Sequence, residues 1–416
     1  MFQAESYKGH KLCWPDDLVI NSLWAWSRGL GIAQHHGIIS TAYSVYRLRN
    51  KSKVLPQYIN GLVRSSPFQW EMQVRSKGIW ISRLQLTDDS FLDAPFPLPP
   101  SDEQAAIVRF LDHADRRISR TIAAKQRLIK LLQEQKQVII HQAVTRGLDP
   151  DVKLKPSGVE WLGDVPKGWT TLLFGRVIKG IEQGWSPVAA DGDLAEDQWA
   201  VLTLAAIKKG TFHGDAVKPI ALSAAVPTKL ELHTDDLLLT RSNTRELVGD
   251  VCLVKEPRHK TLFSDLIYRI SLNNKKVESR YIVYQLLSPS LRLQIGRDAR
   301  GSSGTMPKLA HMHIKSWRVV MPPLEDQRVI AGYLDSRLVD LSEAGARAQQ
   351  EIALLREYRT RLIADVVTGK LDVREAVAGL SELDAEPLPA DLEPEDGDLE
   401  GEDAEAEADA GEVVEA

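Results

Sequence analysis

The apolar positions of this chain change rhythm along its length, and the same change happens twice. In residues 99–150, Ile107, Leu111, Ile118, Ile122, Ile129, Leu132, Ile139 and Ala143 recur at heptad-like spacing. In residues 322–373, Ile330, Leu334, Leu338, Leu341, Ala348, Ile352, Leu355, Leu362 and Val366 keep the same register. Steps of three and four place such residues on one narrow stripe of a helix, the pattern of a helix that packs against another helix. Each stripe follows a double proline, which cannot continue a helix backwards, and then "SDEQ" or "LEDQ", polar residues suited to a helix N-terminus. Gly147 and Gly369 stand where the stripes stop and are available to end them. A helix of about 40 residues is a rod of roughly 60 Å. Two partners are open to each rod, the antiparallel helix of the other copy or the core of its own domain. The residues expected to make the helix pairing are Ile107, Leu111, Ile118, Leu132, Ile139, Ile330, Leu334, Leu341, Leu355 and Leu362.

Between the stripes the period shortens. Residues 157–320 alternate β-type runs such as "WAVLTL", "DLLLT" and "DVCLVK" with Gly, Pro and Asn turns, and one helix is predicted near 278–295. Residues 16–95 carry the same signals in "DLVINSLWAW" and "YSVYRL", with a helix predicted over 56–72. The fold class that follows is α+β, a mixed α/β chain with a pseudo-twofold internal repeat: two similar domains joined by two long antiparallel coiled-coil-like helices.

The repeat is explicit. "PPSDEQAAIVRFLD" at 99–112 returns as "PPLEDQRVIAGYLD" at 322–335, and an offset of 223 carries 99–150 onto 322–373 without a gap. So Gln104 meets Gln327 and Asp112 meets Asp335. Upstream the likeness is fainter and needs small gaps, with "DDLVINS" at 16–22 facing "DDLLLTR" at 235–241. A period this long signals duplicated domains rather than a solenoid, and duplication implies a ligand with two similar halves. The expected division is 1–98, 99–150, 151–320, 321–378 and a tail over 379–416. On this count the first domain lacks the front of its twin, about 60 residues with "WLGDVPKGW" among them, and apolar surface around Trp24 and Trp26 is expected to be exposed.

Charge sharpens the division. The formal net charge is −5, yet residues 381–416 hold 16 Asp and Glu with no Lys or Arg, and without them the balance is +11. A tail so acidic and free of aromatics is expected to stay disordered. A basic body is compatible with a polyanionic partner. The two cysteines, Cys13 and Cys252, form no CxxC and are read as reduced thiols, without disulfide or zinc. With no signal peptide and no apolar run of membrane-spanning length, the expected location is the cytoplasm, with no membrane partner.

Candidate chemistry is confined to polar loops. "TRSNTRELVG" offers Arg241, Asn243 and Arg245 directly after a strand; "RDARGSSGTMPKL" offers Arg297, Arg300, Ser302, Ser303, Thr305 and Lys308. Arg matches guanine and Asn matches adenine, while Ser, Thr, Lys and loop N–H groups suit phosphates. Asn21, Ser22 and Lys77 are the first-copy candidates for DNA. Walker A, GxGxxG, HExxH, GxSxG and HxE…PCxxC patterns are not found, and the pairs His35–His36 and His311/His313 lack a third ligand. No catalytic residue and no metal site are assigned.

The paired stretches "PLPPSDEQAAIVRFLD" and "MPPLEDQRVIAGYLD", "LIKLLQEQKQVIIHQAVTRGLDP" and "EIALLREYRTRLIADVVTGKLDV", with "SGVEWLGDVPKGW" and "DDLVINSLWAWSRGLG", resemble the specificity subunits of type I restriction-modification enzymes over residues 7–378. The resemblance implies two target-recognition domains that each read half of a bipartite sequence in double-stranded DNA, with the long helices as spacer. It implies docking of two methyltransferase subunits and, through them, restriction subunits. It also implies that this chain is not itself an enzyme and binds no cofactor, S-adenosylmethionine, ATP and Mg being expected on the partner subunits. A subunit that docks its partners but reads one half-site is the alternative.

Overall fold

The computed structural model describes residues 9–50, 52–78, 84–186, 194–195, 197–221, 226–299 and 306–380. Arg300, Ser302, Ser303 and Thr305 and the acidic tail lie outside the described residues. The fold has two compact units, one made of residues up to Ile129 together with those from Ala346 onward, the other of Lys130–Gly345. The units therefore cut across the linear division at 98, 150 and 320, because each long helix contributes its two halves to different cores.

Along the chain the first elements are strands β1 (Lys11–Cys13), β2 (Leu18–Asn21), β3 (Leu30–Ile32), β4 (Gly37–Ile39) and β5 (Tyr43–Tyr46). Helices α1 (Pro56–Val63), α2 (Ser66–Arg75) and α3 (Asp88–Leu92) follow, and then α4 (Ser101–Arg146). Strands β3, β2 and β5 form an antiparallel sheet, with Leu18 opposite Ile32 and Tyr46; β1 and β4 form a separate ribbon.

The next elements are β6 (Leu154–Pro156), β7 (Asp164–Pro166), β8 (Thr170–Leu173), β9 (Ile178–Gln183), β10 (Ala200–Leu202), β11 (Ile207–Lys208), β12 (Thr211–Phe212) and β13 (Val217–Pro219). They are followed by β14 (Leu237–Thr240), β15 (Val251–Leu253), β16 (Thr261–Phe263) and β17 (Ile267–Leu272). Then come α5 (Ser279–Leu287), α6 (Pro289–Asp298), α7 (His311–Ser316), β18 (Arg318–Met321), α8 (Leu324–Val367) and α9 (Arg374–Ala378). The central sheet of this unit has the order β15-β14-β17-β9, so it repeats β3-β2-β5 and adds a fourth strand.

The single helices predicted near 56–72 and 278–295 are each two helices. Ser65 and Ser288 interrupt them with extended backbone, and each hydroxyl donates to a carbonyl three residues back, Leu62 O and Gln285 O, at 2.6 Å. Prolines in the first turn of α2 and α6 fit a helix start and not a helix interior, which the apolar periodicity conceals.

In the first unit, residues 101–129 of α4 pack against residues 346–367 of α8. Asp115 pairs with Arg359 at 2.5 Å and Lys125 pairs with Glu351, so the two segments run antiparallel. In the second unit the Lys136 ammonium donates to Ser342 Oγ at 2.8 Å, again with α4 rising as α8 falls. Of the stripe residues, Ile107, Ile118, Ile330, Leu334 and Leu362 are buried and Leu111, Leu132, Ile139, Leu341 and Leu355 half-buried. The helices do both things the sequence left open. Ile107, Leu362 and Val366 join one core with Tyr58, Leu62 and Met72, while Ile140, Ile330 and Leu334 join the other with Tyr281, Leu286 and Val319.

The two junctions are built from the same hydrogen bonds. Gln104 accepts from Leu55 N–H at 2.9 Å and donates to Lys53 O and Pro99 O; Gln327 accepts from Glu278 N–H at 3.0 Å and donates to Lys276 O and Pro322 O. The Tyr58 hydroxyl lies 2.7 Å from Pro97 O and 3.2 Å from Val367 O, and the Tyr281 hydroxyl lies 3.0 Å from Val320 O and 3.3 Å from Val144 O. Val144 and Val367 lie in the last turns of α4 and α8, where carbonyls have no partner within the helix. Each tyrosine thus satisfies an orphan carbonyl of the other copy's helix. Gly147 and Gly369 complete both ends with positive φ of 80° and 74°.

Candidate nucleic-acid interface

Strand β14 is buried along its whole length, and the chain leaves its end as a loop fixed from beneath. Thr240 Oγ1 donates to Leu247 O at 2.8 Å and accepts from Asp250 N–H at 2.9 Å, closing the loop on its own stem. The Arg292 guanidinium reaches from α6 to Val248 O at 3.0 Å and Glu246 O at 2.7 Å. Its desolvation lowers its pKa, opposed by the charge of Asp250. Asp250 is itself buried, which raises its carboxyl, while the N–H groups of Lys209 and Val251, at 2.6 and 3.0 Å, hold it down. A loop held by a buried carboxylate and a half-buried guanidinium, both hydrogen-bonded to backbone, is a rigid platform for the side chains it exposes.

Those side chains are basic. Arg245 and Lys308 are exposed, and neither forms an ion pair among the described residues. Lys308 is brought to the same place as Arg241 by an antiparallel bridge to Ser242 and by the Leu309 N–H, which donates to Arg241 O at 2.9 Å. The Arg241 guanidinium lies 5.8 Å from the ring centre of Tyr268, with Nη1 3.4 Å from Asp265 O, while its Nε is buried and has no partner. His311 meets the same tyrosine edge-on at 4.7 Å; burial first, then Lys315 and Arg241, lower its pKa and keep the imidazole neutral at pH 7. The cluster thus combines free cations, a half-used guanidinium on an aromatic ring and a neutral imidazole, groups that suit phosphates and base edges.

Asn243 is turned inward: it is 8% exposed and its Oδ1 accepts from Thr244 N–H at 2.8 Å, so it shapes the loop. Arg297 lies at the end of α6, paired with Asp298 at 3.3 Å. Tyr268, His311 and Arg292 belong to the arrangement and carried no sequence signal, being a strand residue, one of an unremarkable histidine pair and a helix cation.

The first unit repeats the scaffold with other groups on it. Leu86 N–H donates to Ser22 O at 2.9 Å, as Leu309 does to Arg241, and Lys77 bridges Gln85. Ser22 stands where Arg241 does, its hydroxyl donating to Ala42 O at 3.2 Å, and Asn21 Oδ1 accepts from Leu23 N–H at 3.1 Å. Lys77 is exposed. Trp24 is 51% exposed and stacks on Trp26 at 6.0 Å.

Both cysteines are buried free thiols, and burial pushes Cys252 up to about 12. Among the described residues no group of three His, Cys, Asp or Glu is placed to hold a metal ion, and no helix is long and apolar enough to cross a membrane.

Comparison with known proteins places residues 229–351, which include this loop and Lys308, in a family described as type I restriction modification DNA specificity domain. The chain is 26% identical over 186 residues to the type I restriction enzyme EcoEI specificity subunit of Escherichia coli, covering 42% of this chain but only 31% of that one. It is 22% identical over 392 residues to the StySPI specificity subunit of Salmonella potsdam, covering 89% and 81%. A solved chain from work on complex assembly and conformational transition of the type I R-M system shares the fold with a TM-score of 0.64 at 17% identity, covering 88% of this chain and 85% of that one.

Proposed function

We propose, from the premise that the chain belongs to the specificity subunits of type I restriction-modification enzymes, that it reads a bipartite sequence in double-stranded DNA and carries out no chemistry of its own. The observation that carries the reading is the cation cluster of Arg241, Arg245 and Lys308, held on a rigid loop inside the segment that matches the specificity-domain family. Arg245 and Lys308 contact phosphate or base edges, and Arg241 moves from Asp265 O to the nucleic acid while Tyr268 supports it. Methylation and cleavage fall to partners, two methyltransferase subunits with S-adenosylmethionine and restriction subunits with ATP and Mg, in the cytoplasm. Asn21, Ser22 and Lys77 read the other half-site.

A second reading, recognition through residues 157–320 alone, draws on one contrast: Ser22 and Gln85 are uncharged where Arg241 and Lys308 are charged. One experiment separates the two. The chain assembled with methyltransferase subunits is used to select duplexes from a random library. Two conserved blocks around an unread spacer are expected, and Arg245→Ala should weaken binding by about 1–3 kcal/mol while relaxing one block only. A single block would favour the second reading, and no enrichment would remove both.

A further inference from the structure

The first unit contains a cavity of about 600 Å³ between α1, α4, the end of α8 and the turn before β2. Its walls are largely apolar, with Ile32, Tyr58, Leu111 and Leu362 among them, and Asp16, Asp112 and Asp115 bring three carboxylates to its lining against one guanidinium, that of Arg359. Asp115 is already paired with Arg359. Asp112 forms no hydrogen bond or ion pair with another described side chain, and burial raises its pKa, Arg116 opposing and Asp115 adding to the effect.

The other unit shows what such a space holds. Its equivalent of Asp112 is Asp335, which accepts from the Tyr284 hydroxyl at 2.6 Å and from Arg280 Nη1 at 2.6 Å. At the repeat offset, the positions of Arg280 and Tyr284 are taken in the first unit by Gln57 and Gly61, and both line the cavity. One unit therefore fills this place with a phenol and a cation from its own helix α5. The other keeps the carboxylate and the walls and omits both.

We propose that this cavity binds a small aromatic cation, an arylalkylamine, with its ring in the place that Tyr284 occupies in the second unit and its ammonium at Asp112. The shape supplies an apolar slot for the ring, and the Asp112 carboxylate, with no hydrogen bond or ion pair to another described side chain, selects a cation over an anion. Nothing in the DNA-reading proposal requires this site, and its test is independent of DNA.

Tyramine serves as the probe, titrated into the full chain and followed by calorimetry and by proton–nitrogen correlation spectra. Saturable binding at one site per chain is expected, with shifts at Gly61, Leu111 and Ile118. Asp112→Asn should weaken it about fivefold, the change that loss of an ion pair at a partly exposed carboxylate gives. Gly61→Tyr should abolish it with the chain still folded, since a Cβ at position 61 meets Val367 and Leu111 only at 3.5 and 3.9 Å. Absence of binding at millimolar tyramine overturns the proposal. So does binding that both variants leave unchanged.

Discussion

Asp112 and Asp335 occupy the same place in two copies of one design, and only one of them is neutralised. At Asp335 a tyrosine hydroxyl and a guanidinium both arrive from α5. At Asp112 the matching helix α1 presents Gly61 and Gln57, and a cavity opens instead. Yet Gln104 and Gln327, like Tyr58 and Tyr281, keep their bonds to equivalent atoms. The difference teaches where this architecture is constrained. Groups that satisfy buried backbone at a helix end are kept in both copies, because an orphaned buried N–H or C=O costs about 1–3 kcal/mol wherever it occurs. Side chains that pair at the partly exposed rim carry less energy and have diverged.

The largest expected effect tests the shared part. Gln327→Ala leaves the Glu278 N–H and the Lys276 and Pro322 carbonyls unpaired at a side chain that is 1% exposed, and should cost about 2–4 kcal/mol. Gln104→Ala should match it within about 1 kcal/mol by urea denaturation. A loss at one junction alone would show that the likeness of the two is geometric and not energetic.

The tyrosines should separate the copies modestly. Tyr58→Phe removes a hydroxyl shared between two carbonyls, a loss of about 1 kcal/mol. Tyr281→Phe should lose somewhat more, about 1.5–2 kcal/mol, because its hydroxyl also accepts from Gln285 Nε2 at 2.8 Å. Equal losses would remove Gln285 from the account.

The smallest effect is a difference of sign. Asp335→Asn breaks its half-exposed pair with Arg280 and should destabilise by no more than about 1 kcal/mol at pH 7. Asp112→Asn removes a desolvated, unpaired carboxylate and should be neutral or stabilising, by at most about 0.5 kcal/mol after solvent screening. The raised pKa of Asp112 means that its folded state holds a proton more readily than its unfolded state. Its contribution is therefore favourable at acid pH and is lost as pH rises through the folded pKa, so the gain from the variant should vanish on acidification. Thermal melts of both variants at pH 7 and pH 4 would show it.

Much of this comparison was legible in the sequence. The offset of 223 pairs Gln104 with Gln327 and Asp112 with Asp335, and the heptad stripes announce two long helices, each with a covered face. The units themselves were not legible. A stripe states that a helix is covered, but it does not say that one half of the cover belongs to one core and the other half to another. The breaks at Ser65 and Ser288 were hidden because "YINGLV" and "YIVYQLL", which run up to them, keep helical apolar spacing and give no sign of a stop. At the candidate site, Arg241 and Arg245 stand out as cations after a strand and Lys308 as a cation on a separate Gly-rich loop, and the fold joins the two loops at Ser242 and Lys308. Asn243 was read as a base reader, yet its burial depends on how the loop closes over Asp250 and Arg292, a matter of tertiary contact that residue type does not encode.

The hydroxyl of Tyr58 and the carbonyl of Val367 are 309 residues apart in sequence. On a ribosome adding about 5–20 residues per second, roughly 15–60 s separate the emergence of the two. The domain synthesised first is thus the one completed last. Through that interval Leu62, Met72 and Ile107 lack the cover that Leu362, Val366 and Val367 provide in the finished unit. The second unit closes within a continuous span of chain. A released chain ending at residue 345 should therefore be protease-resistant over 130–345 and sensitive before it.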